Sequence, residues 1–109
     1  EKAYLESYGF TVLQMAGMSF DAIEPELGRQ FAEVPSNIIY DHALSAVHPQ
    51  TEVVFLSCAN FQTAGLVDQL EAKLNIPVIT SNIVTLWAAL RKGGIMEKIY
   101  GYGKLLREY

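Results

Sequence analysis

Short apolar runs alternate with amphipathic stretches in the second half of this chain, and that alternation constrains its fold more than any other feature. Val53-Val54-Phe55-Leu56 is a continuous apolar run, which is typical of a strand covered on both faces of a sheet. An amphipathic stretch follows at about 63–74, then the short run Pro77-Val78-Ile79-Thr80, then a further amphipathic stretch. Since the connections are short, we expect parallel strands joined by helical crossovers. The pattern predicts an α/β fold, a three-layer parallel-sheet lobe with helices on both faces, over residues 1–109 as a single domain.

The remaining elements are predicted from their apolar spacing and their Gly, Pro and cap residues. The stretch 19–34 is ambiguous, a loop with a short helix. In the helix at about 63–74, Leu66, Val67, Leu70 and Leu74 are predicted to point inward, and Asp68 and Glu71 to lie on a solvated face. The other predictions are a helix over 1–8 ended by Gly9, a mostly buried strand over 10–16, a helix with Ser36 as N-cap, and a helix capped by Ser81 or Asn82 and ended by Gly93-Gly94.

Composition excludes several classes of function. A net charge of −4, with eight scattered Lys and Arg residues, predicts no binding to nucleic acid or to an anionic membrane. One cysteine allows no internal disulfide, which indicates a reducing, cytoplasmic location. One Cys and two His at unrelated positions predict no metal site, and no cofactor motif is present, because Gly101-Tyr102-Gly103 lacks the strand–turn–helix context of a nucleotide loop. The helix-like opening at Glu1 suggests a piece of a longer chain.

Cys58 is the first candidate functional residue. It follows the apolar run at 53–56 and precedes residues that open the next predicted helix. A thiol at such a junction would face backbone N–H groups and a positive helix end, which favour a thiolate and create an anion pocket. The alternative is a buried structural cysteine, because free Cys is among the most buried residue types.

Small polar residues follow both short strands and supply the second candidate feature. Ser57-Cys58-Ala59-Asn60 ends one strand and Thr80-Ser81-Asn82 ends the other. In open parallel sheets, ligands bind beyond the carboxyl ends of the strands. If the two strands are neighbours, both motifs face one crevice. Equally simple alternatives are that Asn60, Gln62 or Thr63 caps the helix after Cys58 and that Ser81 or Asn82 caps the next one.

The two histidines offer no comparable pattern. His42 is predicted to be a satisfied, half-buried side chain on a helix face, and His48 an exposed helix end before Pro49. Neither stands at a spacing from Cys58 that matches a known Cys–His pair.

Several segments together resemble one enzyme family. Ser57-Cys58-Ala59-Asn60-Phe61-Gln62-Thr63, Ile76-Pro77-Val78-Ile79-Thr80-Ser81-Asn82 and Thr85-Leu86-Trp87-Ala88-Ala89-Leu90-Arg91 are similar to the C-terminal half of maleate cis–trans isomerases and arylmalonate decarboxylases. These enzymes belong to the aspartate/glutamate racemase superfamily. The tail Gly101-Tyr102-Gly103-Lys104-Leu105-Leu106 and the passage Tyr8-Gly9-Phe10-Thr11-Val12 extend the resemblance to nearly the whole chain.

The resemblance implies a two-lobe fold with the active site between the lobes, of which this chain supplies the second. It implies that Cys58 donates or removes a proton at a substrate carbon, that the Ala59 N–H holds a carboxylate or enediolate oxygen, and that Asn60, Ser81 and Asn82 line the pocket. The implied activity is a cofactor-independent isomerisation of a small dicarboxylate such as maleate. The alternatives are a decarboxylase or racemase, or a non-catalytic fragment or oligomerisation module. Since the first lobe is absent from this chain, we expect a homodimer or association with a missing first lobe.

Overall fold

The computed structural model describes residues 1–18 and 31–109. Within these ranges the chain forms five α-helices, two strands and two 3₁₀ turns. The helices are α1 (Lys2–Ser7), α2 (Ser36–Ser45), α3 (Val67–Leu74), α4 (Ser81–Lys92) and α5 (Lys104–Glu108). The strands are β1 (Val54–Leu56) and β2 (Val78–Thr80), and the 3₁₀ turns are Phe31–Glu33 and Ala64–Leu66. No helix in the described ranges is long and apolar enough to cross a membrane.

The two strands form a parallel pair. Val54 lies opposite Val78 and Leu56 opposite Thr80, and the Ala64–Leu66 turn and α3 connect β1 to β2. This crossover confirms the α/β class predicted from the alternation of apolar runs and amphipathic stretches. The parallel register also brings the residues after both strands to the same edge of the sheet.

The core lies around β2, which packs against α3 and α4, while α2 contacts α3 and α5 contacts α4. Leu66, Val67 and Leu70 point inward as predicted, and Leu106 of α5 is fully buried. The predicted burial of β1 on both faces is wrong, because the side chain of Phe55 is 39% exposed. The apolar run therefore indicated the strand correctly but overstated how much of it is covered.

Glu71 corrects another prediction, since its carboxylate is not on a solvated face. Its side chain is only 11% exposed and accepts hydrogen bonds from the backbone N–H groups of Val78 (3.0 Å) and Lys104 (2.9 and 3.1 Å). Asp68 accepts a further bond from the Gly103 N–H at 2.9 Å. We call Asp68, Glu71, Gly103 and Lys104 the C-terminal clamp, because together they fix the chain before α5 against α3 and the start of β2.

The predicted strand at 10–16 is also wrong. These residues form no regular element, and the side chain of Phe10 is 59% exposed. A strand needs a neighbour to pair its backbone groups, and in the described ranges only β1 and β2 pair. The preceding helix, α1, buries none of its residues. A side-chain hydrogen bond with Tyr8, just beyond this helix, raises the pKa of the Tyr4 hydroxyl. The predicted loop and short helix at 19–34 fall largely outside the described residues, apart from the 3₁₀ turn Phe31–Glu33.

Two predicted helix starts are shifted by one position. α2 begins at Ser36 itself after Pro35 as the cap residue, and the Ser36 side chain makes no capping hydrogen bond. α4 is capped by Thr80, whose hydroxyl accepts the Ile83 N–H at 3.2 Å, instead of by Ser81 or Asn82. Because the buried Thr80 hydroxyl already accepts the Ile83 N–H, neither Ser81 nor Asn82 is required as the cap of α4. The predicted end of α4 at Gly93 is confirmed.

Candidate functional site

The two strand-end motifs meet directly in the structure. The Asn82 side-chain amide, in the first turn of α4, donates a hydrogen bond to the carbonyl oxygen of Ala59 at 3.0 Å. This contact joins the turn after β1 to the helix after β2, across 23 residues of sequence. The strands are neighbours, as the prediction required, and the two motifs are in contact at the carboxyl edge of the sheet.

Cys58 is a half-buried free thiol two residues beyond the end of β1. Its N–H donates to the Leu56 carbonyl at 3.2 Å, and its own carbonyl accepts from the Phe61 N–H at 3.4 Å. These bonds, with Thr63 N–H to the Phe61 carbonyl at 2.9 Å, wind residues 58–63 into a compact turn. The helical segment begins at Ala64, within one residue of the start predicted at about 63, so this turn separates the thiol from the helix.

An open groove of about 500 Å³ lies along this turn. Its lining joins the turn after β1 to the first residues of α2 and α4, and consists of Ser36, Ala59, Asn60, Phe61, Gln62, Thr63, Ala64, Gly65 and Asn82. Three predicted site residues, Ala59, Asn60 and Asn82, therefore share one surface. Cys58 and Ser81 are not part of this lining.

Ser81 occupies a different place from the one its motif suggested. It is the half-buried first residue of α4, and its carbonyl accepts the Thr85 hydroxyl at 2.8 Å. Gln62, one of the suggested caps, instead donates its side-chain amide to the Ala32 carbonyl at 3.0 Å. This bond holds the turn after Cys58 against the Phe31–Glu33 segment.

The sequence predicts Thr63 only as a possible cap, and the structure shows a further feature of its side chain. Its side chain is 1% exposed and makes no capping hydrogen bond to the 3₁₀ turn that follows. The Thr63 hydroxyl is shielded from water and has no hydrogen-bond partner within the described residues. A threonine before a helical segment is typical of a cap, so the sequence offers no separate signal for this unpaired hydroxyl.

The histidines and acidic residues form no comparable site. The prediction of His48 as an exposed helix end is wrong, because the residue is half-buried beyond the end of α2 and its Nδ1 accepts the Gln50 N–H at 3.1 Å. His42 is half-buried as predicted but is not satisfied, because its Nε2 has no partner among the described residues. Within 1–18 and 31–109, no cluster of three or more His, Cys, Asp or Glu side chains could hold a metal ion.

Comparison with known proteins gives a consistent result. The family model of arylmalonate decarboxylase matches residues 2–106. The curated arylmalonate decarboxylase of Bordetella bronchiseptica is 33% identical over 61 residues, which are 55% of this chain and 25% of that protein.

Two solved structures share the fold over 96% of this chain and 45% of their own. The crystal structure of arylmalonate decarboxylase has a TM-score of 0.78 at 24% identity, and the structure of unliganded arylmalonate decarboxylase has 0.71 at 23%. The chain thus spans less than half the length of these relatives.

Proposed function

Because the chain belongs to the arylmalonate decarboxylase family, we propose that it forms one catalytic lobe of a cofactor-independent enzyme acting on a small dicarboxylate. The observation that carries this proposal is the hydrogen bond from Asn82 to the Ala59 carbonyl. It fixes the two strand-end motifs against each other at the residue that follows Cys58. In parallel sheets this edge is where ligands bind.

Cys58 acts in this proposal as the proton donor. When a malonate loses one carboxyl group as CO₂, the electron pair of the broken C–C bond passes to the α-carbon and the remaining carboxylate, forming an enediolate. The Cys58 S–H then protonates that carbon, and the resulting thiolate recovers a proton from solvent. A thiol with access to the cleft can perform both steps.

Ala59 and its neighbours stabilise the charge that develops. The Ala59 N–H has no acceptor among the described residues, so it is available to an enediolate oxygen. A donor fixed in advance of the reaction lowers the barrier by several kcal/mol, by analogy with oxyanion holes at about 3 kcal/mol per donor. Asn60 and Asn82 orient the substrate from the groove, whereas Ser81 lies outside the groove lining and has no assigned contact with the substrate.

Decarboxylation is the first candidate reaction because the curated relative and both solved structures carry that name. Maleate cis–trans isomerisation is the second, favoured by the resemblance of Cys58-Ala59-Asn60-Phe61 and Ser81-Asn82 to the isomerases. In that reaction a nucleophile from the other lobe adds to one alkene carbon and Cys58 protonates the next. After rotation about the new single bond, Cys58 removes the proton as the nucleophile leaves and the double bond forms again.

A complete site requires a second lobe, supplied by a longer chain or by a second copy of this one. An exposed apolar series along the N-terminal segment is consistent with such association: Tyr4, Tyr8, Phe10, Leu13 and Met15 are 43–69% exposed. A cross-subunit site predicts turnover per chain that rises with protein concentration as the protein self-associates. A dimer that turns over neither substrate at any concentration would instead support the non-catalytic oligomerisation module.

Turnover of phenylmalonate and of maleate, followed by proton NMR, tests the proposal. Phenylacetate identifies the decarboxylase and fumarate the isomerase, and we expect Cys58→Ala to abolish either product. Ser45→Ala, a remote change on α2, serves as the matched control and should retain activity. If Cys58→Ala turns over substrate like the unaltered chain, the role of the thiol is refuted.

A further inference from the structure

The turn that carries Cys58 is held from two sides by hydrogen bonds to other segments of the chain. At the far end of the turn, the Gln62 side-chain amide donates to the Ala32 carbonyl oxygen at 3.0 Å. At the near end, the Asn82 side-chain amide donates to the Ala59 carbonyl oxygen at 3.0 Å. These two side chains connect the turn to the segment before α2 and to the first turn of α4.

The backbone of the turn fixes its own shape only weakly. Its hydrogen bonds are local and join residues two or three apart: Cys58 N–H to the Leu56 carbonyl, Phe61 N–H to the Cys58 carbonyl, and Thr63 N–H to the Phe61 carbonyl. The bond between the Phe61 N–H and the Cys58 carbonyl, which closes the turn, is 3.4 Å long. This length exceeds the usual range of about 2.7–3.2 Å for N–H···O bonds. The shape of the turn therefore depends on its contacts with other segments.

The segment that accepts the Gln62 hydrogen bond is itself packed on the core. Val34, directly after the 3₁₀ turn Phe31–Glu33, is 4% exposed. The rings of Phe31 and Phe61 join the same two segments, with centroids 6.2 Å apart and planes tilted by 59°, a geometry within the range of favourable aromatic pairs. The Gln62 bond therefore belongs to a fixed contact between the two segments.

We propose that Gln62 is a positioning residue of this site, and that its bond to Ala32 keeps the turn in one shape. That shape presents the Cys58 thiol and the Ala59 N–H for reaction. The inference rests on the proposed function, in which these two groups transfer the proton and stabilise the developing charge. Gln62 acts through the turn and not on the substrate. Since reaction requires close alignment of such groups, a small displacement of the turn lowers the rate by a large factor.

Amide hydrogen exchange at Thr63, in the 109-residue chain, measures how often the turn opens. Thr63 follows Gln62 directly, is 1% exposed, and its N–H donates to the Phe61 carbonyl at 2.9 Å. Gln62→Met keeps a side chain of similar length but removes the donor. We expect the Thr63 amide to exchange about fivefold faster in this variant, the effect of losing one typical hydrogen bond. The amide of the fully buried Leu70 should keep its rate, because only the turn has been loosened.

Gln69→Met is the matched control. Gln69 is also exposed, and its side-chain amide also donates to a backbone carbonyl, that of Gly65 at 3.1 Å. This bond is local and does not involve the turn that carries Cys58. Gln69→Met should therefore leave Thr63 exchange within about twofold of the unaltered chain.

Alkylation of Cys58 by iodoacetamide tests the effect on the reactive group. The rate is followed from about pH 6 to about pH 10, across the ordinary thiol pKa of about 8.5. Because the thiolate is the reacting form, the rate rises with pH to a plateau that depends on access to the sulfur. The turn keeps Cys58 half-buried, so we expect Gln62→Met to raise this plateau several-fold and Gln69→Met to leave it unchanged.

Two results would overturn the inference. One is an alkylation profile of Gln62→Met that coincides with that of the unaltered chain. The other is Thr63 exchange that stays unchanged in Gln62→Met, or that rises only together with exchange at Leu70. Neither measurement uses turnover. Failure of the proposed function therefore appears as missing turnover of phenylmalonate and maleate, and failure of this inference appears in exchange and alkylation alone.

Discussion

Replacing Glu71 by Ala tests whether the C-terminal clamp holds this lobe together. The Glu71 carboxylate accepts the backbone N–H groups of Val78 at 3.0 Å and Lys104 at 2.9 Å. One bond fixes the start of β2 and the other fixes the start of α5, whose Leu106 is fully buried. A single side chain therefore joins α3 to β2, which follows it directly in sequence, and to the start of α5, 33 residues away.

The magnitude follows from what the substitution leaves behind. Val78 is fully buried, so its N–H cannot turn to water when the carboxylate is removed. A donor left unpaired in this way costs about 1–3 kcal/mol, and the partly buried Lys104 N–H costs less. We expect Glu71→Ala to lower the free energy of unfolding by about 3 kcal/mol, equivalent to a fall in melting temperature of about 12–24 °C for a domain near this size.

Urea unfolding followed by circular dichroism measures the change, with Glu108→Ala as the matched control. Glu108 is 42% exposed and pairs with Lys104 at 3.7 Å, a surface interaction worth at most about 1 kcal/mol. If Glu71→Ala and Glu108→Ala have the same stability, the clamp does not act as described. Unchanged m-values would show that the comparison concerns the same unfolding transition.

Three further substitutions test other parts of the structure. Gly103→Ala should cost about 2 kcal/mol or more in urea unfolding, because φ is +93° and a new Cβ would collide with Val67; unchanged stability would contradict this backbone geometry. Thr80→Val should cost about 1 kcal/mol by removing the side-chain cap of α4, and a loss of less than about 0.3 kcal/mol would show that another group caps the helix. Asn82→Ala should speed hydrogen exchange in the turn containing Ala59 with little global loss of stability, and unaltered exchange there would show that the bond to the Ala59 carbonyl does not hold the turn.

The sequence identified several residues of the site, but it did not predict the hydrogen bonds that each of them makes or lacks. Ala59, Asn60 and Asn82 could be selected beforehand because each follows a short apolar run, and parallel strands bring such positions to one edge. Thr63 could not be distinguished from an ordinary cap, because a cap and an unpaired buried hydroxyl have the same sequence context. The difference depends on which atoms lie within hydrogen-bond distance after folding.

Glu71 illustrates the same limit in the fold. Its position beside Asp68 and Lys73 on an amphipathic helix indicates solvent exposure, and its partners lie 7 and 33 residues away in sequence. Residues 10–16 show the converse, since an apolar series there predicts a strand but finds no neighbouring strand among the described residues. A local sequence pattern indicates the secondary structure that a segment prefers. It does not indicate which other segments will pack or pair with it after folding.

The sequence by itself determined the alternation of strands and helices, the inward face of α3, the end of α4 at Gly93 and the place of Cys58 after β1. These features depend on periodicity and on backbone preferences within a few residues. Only the tertiary structure decided that Asn82 contacts Ala59, that Glu71 joins β2 to α5 and that the Thr63 hydroxyl remains buried without a partner among the described residues. Each of these depends on atoms from distant segments, whose approach is set by the packing of the whole lobe around β2.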